Sequence, residues 1–332
     1  MNPTIARMVS LLRRPAVQRW LKITIILAII VFVGRSLLTS WDRIIHQHWQ
    51  INWFLLLLGF VFLIGQELSY GIIWRQILQR LGFIVAPMTA LRIYLAAEFV
   101  RYIPGNVWHV LARIGWAEEV GVPKSFGLAS MTIELATKIT AAALAFLLSI
   151  LAWPELSQLH QLSSTASLLF VIVAVPLLIF GLQPRVLSWG LNQGLKLLKR
   201  EPIAIALQYS DILRITATWM ISWCIGGIGF WFVIAAVVPT TLSIPTGIIC
   251  IGIYALGWDI GFLSFVTPSG LVFREATVTF LLVAAHITHD AAIAGVLAVL
   301  GARLVPTIAE ILSVGGAYFL AHQEPSSVGI PS

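Results

Sequence analysis

The sequence predicts an all-α fold: a polytopic membrane helical bundle with about six full spans and two re-entrant, or paired short, helical hairpins. Two observations lead to this prediction. Of the 332 residues, 59% are hydrophobic and only 11% are charged, with a mean hydropathy of +0.93, which is far from the balance of a soluble domain. Apolar runs of roughly 20 residues also recur along the chain, and that length crosses a hydrocarbon core about 30 Å thick.

Six apolar runs have the length and composition of full spans. They lie at about 21–39, 52–74, 125–152, 166–182, 211–238 and 291–320. Two further hydrophobic regions, 83–120 and 246–286, are each interrupted near the middle by proline and glycine. Such breaks free backbone groups that lipid cannot satisfy, so they occur only where protein or a water-filled cavity covers them. Each interrupted region is therefore a pair of spans or a re-entrant hairpin, and the polar residues after the first break favour the hairpin.

The distribution of charge among the loops sets the orientation in the membrane. Basic residues concentrate in alternate loops, at Arg75, Arg80, Lys124, Arg185, Lys196, Lys199 and Arg200. The positive-inside rule places these loops, the N-terminus and the C-terminus in the cytoplasm, with the bundle in a cell (inner or plasma) membrane. Both interrupted regions then begin and end on one side. The first enters from the cytoplasm and the second from outside.

The same distribution of charges and apolar runs predicts the domain organisation. Residues 1–20 form a basic interfacial segment, residues 21–320 a single transmembrane domain, and residues 321–332 a short flexible tail. Within the domain, a hairpin followed by a full span occurs twice with opposite entry sides. This is the pattern of an inverted-topology repeat, with half-repeats at about 83–152 and 246–320.

The first break places polar side chains where a helix begins. Its residues are Arg101, Pro104, Gly105 and Asn106, followed by His109 and Arg113. On a helix, residues 106, 109 and 113 share one face, and a helix N-terminus favours an anion such as a lipid phosphate. The alternative is that Arg101 pairs with Glu98, and Arg113 with Glu118 or Glu119, without a ligand.

The second break and two of the spans carry further charges. Pro268 and Gly270 interrupt the chain, and the adjacent Arg274 and Glu275 point to different neighbours on a helix, with Arg274 a second phosphate candidate. In the spans, Glu134 and Lys138 are spaced to pair at i, i+4, and Arg303 and Glu310 share one face at i, i+7. Charges at such depth face the protein interior and indicate function by default, although an inert ion pair that fixes helix register is the alternative.

Several functional classes are not indicated. The sequence contains no phosphate-binding loop, zinc-protease helix or nucleophile elbow, so we expect a transporter-like protein and not an enzyme. Neither Cys224 with Cys250 nor the loop histidines have ligand spacing, so no metal and no cofactor are predicted. The net charge of +7 is explained by the cytoplasmic loops and does not indicate a nucleic-acid partner.

Two blocks of residues resemble a known family. The first comprises residues 101–109, Arg113, 121–123 and Glu134, and the second comprises residues 268–275, Arg303 and Glu310. They are similar to the flippase-like transmembrane region of lysylphosphatidylglycerol synthases and of related stand-alone membrane proteins. Where that pattern has Pro-Gly-Gly-Leu-Gly before Arg-Glu, Ser269 and Val272 replace two glycines here. This departure concerns the backbone of the second break.

The resemblance implies a lipid flippase or scramblase that moves a phospholipid or a modified (aminoacyl or glyco) lipid between leaflets. Arg101, Arg113, Arg274 and Arg303 would contact phosphate, and Glu134 and Glu310 a cationic or hydroxylated headgroup. The implied partners are membrane lipid and a separate lipid synthase or glycosyltransferase, and a homo-oligomer is left open. The alternatives are a non-catalytic subunit that presents lipid to such an enzyme, and an intramembrane lipid-modifying enzyme that depends on Glu134 or His109.

The predicted orientation can be tested with single cysteines. In a chain whose Cys224 and Cys250 are replaced, we expect a cysteine at Ser157 to react with an impermeant maleimide on intact cells. A cysteine at Ser188 should react only after permeabilisation, because the basic residues of its segment, 185–200, place that segment in the cytoplasm. The reverse labelling pattern would contradict the predicted topology.

Overall fold

A computed structural model describes residues 51–100, 108–153, 163–197, 207–238, 242–264, 270, 272–288 and 290–321. All regular secondary structure in these residues is helical, which confirms the predicted all-α fold. The predicted segment 1–20, the span at 21–39 and residues 322–332 lie outside the described residues. The same is true of Arg101, Pro104, Gly105, Asn106 and Pro268.

The described helices are numbered in chain order. They are α1 Trp53–Arg80, α2 Pro87–Val100, α3 Trp108–Glu119, α4 Lys124–Ser149, α5 Ser163–Gly181, α6 Pro184–Leu197, α7 Tyr209–Val237, α8 Ile244–Leu263, α9 Phe273–Ala284, α10 Ala291–Val299 and α11 Val305–Ala321. A 3-10 turn, Ile150–Ala152, extends α4, and a π-helical turn, Leu300–Leu304, joins α10 to α11.

Five of the described helical segments are long and apolar enough to cross a membrane. They are α1, α4 with its 3-10 turn, α7, α8, and the rod formed by α10 and α11. The bent pair α5–α6, with 60° between its two helices, makes a sixth if it counts as one span. The predicted spans at 52–74, 125–152, 211–238 and 291–320 coincide with four of these segments.

The prediction of a basic loop after residue 182 is wrong, because residues 184–197 form helix α6. Pro184 occupies the first helical position, where its fixed φ is favourable. Leu191, on the inner face, is buried against Ala129 of α4, while Arg185 is exposed and Trp189 is 67% exposed. An amphipathic helix thus occupies a segment whose charges alone resembled a loop.

The two interrupted regions differ in the length of their arms. In the first, α2 and α3 have 14 and 12 residues, or roughly 21 and 18 Å at 1.5 Å per residue, so each arm is shorter than a span. In the second, α9 also has 12 residues, but α8 has 20 and reaches span length. The second region is therefore a span-length helix followed by a short one.

The centre of the bundle is the crossing of α1 and α7, against which α4 and α8 pack. Glycines bring the backbones of α1 and α7 close together, because a Cβ on Gly59 would lie only 2.7 Å from the carbonyl oxygen of Gly229. Small residues at helix crossings are typical of membrane bundles, where close packing replaces the hydrophobic effect as the source of association. The first helix of each interrupted region packs on this pair, α2 against α1 and α8 against α7.

The helix contacts are preserved when the two halves of the chain are exchanged. The exchange matches α1 with α7, α2 with α8, α3 with α9, and α4 with α10 and α11 together. With this matching, the contact between α2 and α11 in one half has its equivalent in the contact between α8 and α4. The contacts of α1 with α2 and α11 likewise correspond to those of α7 with α8 and α4. An internal repeat has this property. The inverted orientation of the halves stays a prediction.

The second break packs tightly against α8 and contains a strained residue. Gly270 has φ +65°, and a Cβ there would lie 2.3 Å from the carbonyl oxygen of Gly261, so only glycine fits. Val272 has φ +76°, a conformation that is costly for a β-branched residue. Val272 is one of the two positions where the related pattern has glycine. At this position the chain therefore keeps a positive φ although glycine is replaced by valine, and the backbone strain lies at Val272.

We expect Val272→Gly to stabilise the protein. Relief of the left-handed strain contributes about 1–3 kcal/mol, partly offset by the greater backbone freedom of glycine in the unfolded chain. The midpoint of thermal unfolding in detergent should therefore rise. Ala276→Gly, at an exposed position inside α9, is the control and should lower the midpoint, at a cost of about 1 kcal/mol. Equal losses in both variants would contradict strain at Val272.

Candidate functional site

A buried ion triad ties the first hairpin to α4. The guanidinium of Arg113, on α3, is 2% exposed and donates to Glu98 of α2 at 2.8 Å and to Glu134 of α4 at 2.5 Å. The Tyr94 hydroxyl donates to the other Glu134 oxygen at 2.8 Å, and its ring centroid lies 4.0 Å from the guanidinium carbon. Two carboxylates on two other helices thus hold one cation.

This triad replaces the pairing of Arg113 with Glu118 or Glu119 considered from sequence. Arg113 contacts Glu98 and Glu134, while Glu118 pairs with Lys124 at 3.1 Å on the exposed surface. Spacing along one helix favours Glu118 or Glu119 as partners, but the hairpin brings α2 and α4 beside α3. In an apolar medium a buried, bidentate guanidinium is bound more strongly than an exposed pair. Contacts between helices therefore determine the partners of Arg113.

Lys138 lies in an aromatic cage, whereas its i, i+4 spacing predicts a pair with Glu134. Its ammonium is 4.1 Å from the ring centroid of Tyr70, 4.3 Å from that of Trp258 and 4.8 Å from that of Trp219. These rings come from α1, α8 and α7, and the side chain of Lys138 is buried. The Glu134 oxygens are taken by Arg113 and Tyr94. Aromatic faces stabilise a desolvated cation by about 2 kcal/mol or more.

In the second half, Glu275 organises the start of α9. Its carboxylate accepts a hydrogen bond from the Val272 backbone N–H at 2.6 Å and another from the Nε of Arg303. Arg303 lies in the π-helical turn between α10 and α11. Arg303 thus bonds across helices to Glu275, a partner that its i, i+7 spacing with Glu310 does not identify. Glu310 is 2% exposed, on α11.

Arg274 points away from Glu275, as the sequence predicts for adjacent helical residues. Its guanidinium carbon lies 5.4 Å from the ring centroid of Tyr254. Among the described residues no carboxylate pairs with Arg274, and its Nε has no hydrogen-bond partner. The side chain is partly buried and lines a cavity. It is therefore a cation that these residues leave uncompensated.

The cavity has a volume of about 250 Å³ and is lined by both halves of the chain. From the first half it includes Glu98, His109, Arg113, Glu134 and Lys138, and from the second half Trp258, Gly261, Phe262, Gly270 and Arg274. His109 lies in the first turn of α3 and Arg274 in the first turn of α9. The N-terminal ends of both short helices thus border one space, where their dipoles favour negative charge.

The structure brings together six of the residues selected from sequence and separates others. His109, Arg113, Glu134, Lys138, Gly270 and Arg274 line the cavity. Glu275, Arg303 and Glu310 are not among its lining residues. Sequence analysis missed Tyr70, Tyr94, Trp219 and Trp258, because aromatic residues are common in membrane helices and their convergence on a cation depends on packing between helices.

Comparison with known proteins identifies one family. The family model described as the lysylphosphatidylglycerol synthase TM region matches residues 19–309. No curated protein and no solved structure matches the chain.

We expect Arg113→Gln to destabilise the fold strongly. Removing the shared cation leaves two buried carboxylates uncompensated, and breaking a buried pair in this way costs about 3–5 kcal/mol. Unfolding by a denaturing detergent should begin at a lower concentration. Lys124→Gln, in the exposed pair with Glu118, is the control and should cost no more than about 1 kcal/mol. Equal stability of the two variants would show that the triad does not hold the hairpin.

Proposed function

The chain belongs to the family of the lysylphosphatidylglycerol synthase transmembrane region, a membrane domain linked to lipid handling, and from this premise we propose that it is a lipid flippase or scramblase. It would move a phospholipid or a modified (aminoacyl or glyco) lipid between leaflets, without catalysing a reaction. The observation that carries the proposal is the cavity: an arginine that no described carboxylate compensates and the N-termini of two short helices border one space inside a membrane bundle.

The chemistry of the cavity suits a lipid phosphate. Arg274 supplies the cation, and the first turns of α3 and α9 supply positive dipole ends. Discontinuous helices that direct such ends at an anion near the membrane centre are typical of transporters. The carboxylates of the Arg113 triad, which line the same cavity, suit a cationic or hydroxylated part of a headgroup. Arg113 itself is held by two carboxylates, so in this proposal it positions Glu98 and Glu134.

The size of the cavity favours a headgroup without its acyl chains. A volume of about 250 Å³ is below the range of about 300–1,000 Å³ found for pockets that enclose drug-sized ligands. The tails would therefore stay in the surrounding lipid. The outer surface is suited to this contact, because large apolar side chains such as Phe54, Leu57 and Phe280 are more than 60% exposed.

A transport assay tests the proposal. We expect purified protein in liposomes to move a fluorescent phospholipid between leaflets, and Arg274→Gln to slow this movement at least about tenfold, because a charge-assisted bond contributes about 1.5–3 kcal/mol. Arg214→Gln is the matched control, since that arginine is 69% exposed and its removal should leave the rate unchanged. Movement is measured by quenching of the label in the outer leaflet.

Three outcomes separate this function from its alternatives. No movement of any of several headgroups, together with identical behaviour of wild type and Arg274→Gln in cells, would refute the proposal. Lipid retention without movement, with stable co-purification of a synthase or glycosyltransferase, would instead identify a subunit that presents lipid. Headgroup turnover in detergent that depends on Glu134 or His109 would identify an intramembrane enzyme.

A further inference from the structure

Contacts between helix ends bring several basic segments of the chain to one end of the bundle. Arg80, at the end of α1, pairs with Asp211 in the first turn of α7 at 2.8 Å. The Tyr209 hydroxyl, also at the start of α7, donates to the carbonyl oxygen of Ile179 near the end of α5 at 2.7 Å. Helix α6 follows α5 directly, and its Leu191 packs near the start of α4. We call this end, where α1 and α5 finish and α4 and α7 begin, the basic end.

Helix α6 presents a stripe of two cations and an aromatic ring away from the bundle. Arg185, Trp189 and Lys196 are spaced at i, i+4 and i+11, which places them on one face of the helix. All three are exposed, while Leu191, on the other side of the helix, is buried against α4. At 1.5 Å per residue the two cations are separated by roughly 16 Å along the helix axis.

The charge of this stripe is not compensated within the described residues. The sequence contains no aspartate or glutamate from residue 156 to residue 200. Neither Arg185 nor Lys196 forms an ion pair in the part of the chain that the structure describes. By contrast, the exposed Arg80 and Lys124 at the same end each pair with an acid. The stripe therefore offers positive charge to a partner outside these residues.

Two features favour a lipid surface as that partner. Tryptophan concentrates at membrane–water interfaces, where its ring lies at the level of the headgroups, and Trp189 lies between the two cations in the stripe. Helix α6 also follows the apolar helix α5 and is bent from it by 60°, so it turns away from the direction of that segment at the basic end. Basic residues on such a helix attract the negatively charged headgroups of anionic lipids.

We propose that α6 is a binding surface for anionic phospholipid headgroups in the leaflet at the basic end, with Arg185 and Lys196 as the cations and Trp189 as the interfacial anchor. This proposal does not depend on lipid movement through the cavity. The surface is nevertheless close to that site, because Leu128 of α4 both lines the cavity and packs against the apolar cluster that contains Leu191. Anionic lipids held by α6 would thus lie beside the wall of the cavity.

Quenching of a fluorophore on α6 measures which lipids lie next to it. In a full-length chain whose Cys224 and Cys250 are replaced, the fluorophore is attached at Gln193→Cys, an exposed position on the outer side of α6. The protein is placed in phosphatidylcholine liposomes that contain a small fraction of spin-labelled phosphatidylglycerol or spin-labelled phosphatidylcholine. At low ionic strength we expect phosphatidylglycerol to be enriched about fivefold for each cation. High salt should remove most of this excess.

Charge variants identify the residues that hold the lipid. Arg185→Gln combined with Lys196→Gln should reduce quenching by phosphatidylglycerol to the level of phosphatidylcholine. The matched control, Arg185→Lys combined with Lys196→Arg, keeps both charges and should keep the excess. Arg214→Gln removes an exposed cation at the same end but outside α6, and should also keep it. Thermal midpoints should be the same in all variants, because the substituted side chains are exposed.

A second label position tests whether the excess belongs to α6. A fluorophore at Leu242→Cys, an exposed position beyond the opposite end of α7, should be quenched equally by the two lipids.

The results that overturn the proposal are distinct from those that concern the cavity. Equal quenching by the two lipids at α6, or an excess that persists in the variant with two glutamines, would refute binding by Arg185 and Lys196. Absence of quenching by either lipid would also refute it, and would show that the stripe faces water and suits an acidic protein surface. Each of these results leaves lipid translocation intact, and a loss of lipid movement in Arg274→Gln leaves the lipid preference of α6 intact.

Discussion

The structure depends on one constraint: a charge inside hydrocarbon must find its partner within the protein. Arg113 meets this constraint by joining three helices, because its guanidinium reaches Glu98 on α2 and Glu134 on α4 from its own position on α3. An unpaired charge at membrane depth costs at least about 2.5 kcal/mol, and the burial of one member of a broken pair costs more. The triad therefore fixes the first hairpin against α4. The wall of the cavity follows from it, since all three residues line that space.

The second half meets the same constraint differently, and this difference gives the cavity its polarity. Glu275 is used to cap α9 and to hold Arg303 in the π-helical turn, so the neighbouring Arg274 is left without a carboxylate among the described residues. The first half thus contributes to the cavity a cation held by two carboxylates, and the second half a cation for which the described residues supply no carboxylate. The two halves thus have equivalent contacts between helices but different distributions of charge. An amphiphile with both a phosphate and a polar or cationic part suits such an asymmetric site.

The sequence predicts what depends on local composition and misses what depends on contacts between helices. The spans, the two breaks and the interior position of the charged residues follow from hydropathy and from the cost of burial, and His109, Arg113 and Arg274, selected on this basis, all line the cavity. Their partners are not, because spacing at i, i+4 or i, i+7 identifies only residues of the same helix. Glu134 and Arg303 each bond across helices instead. Helix α6 is missed for a related reason: its basic residues resemble a loop, and its apolar face is recognised only when Leu191 meets α4.

The identity of each cation explains why the protein holds the two in different ways. Arg113 presents a planar fork that two carboxylates engage at once, and releasing either would leave a buried charge uncompensated. Lys138 has no such fork, and aromatic rings attract its ammonium without fixing the direction of a hydrogen bond. The guanidinium therefore fixes the wall of the cavity through paired charges, and the ammonium is held by the packing of three rings around it. On this argument, the exchange of Arg113 and Lys138 between their positions would remove both arrangements, although the net charge of the chain would be the same.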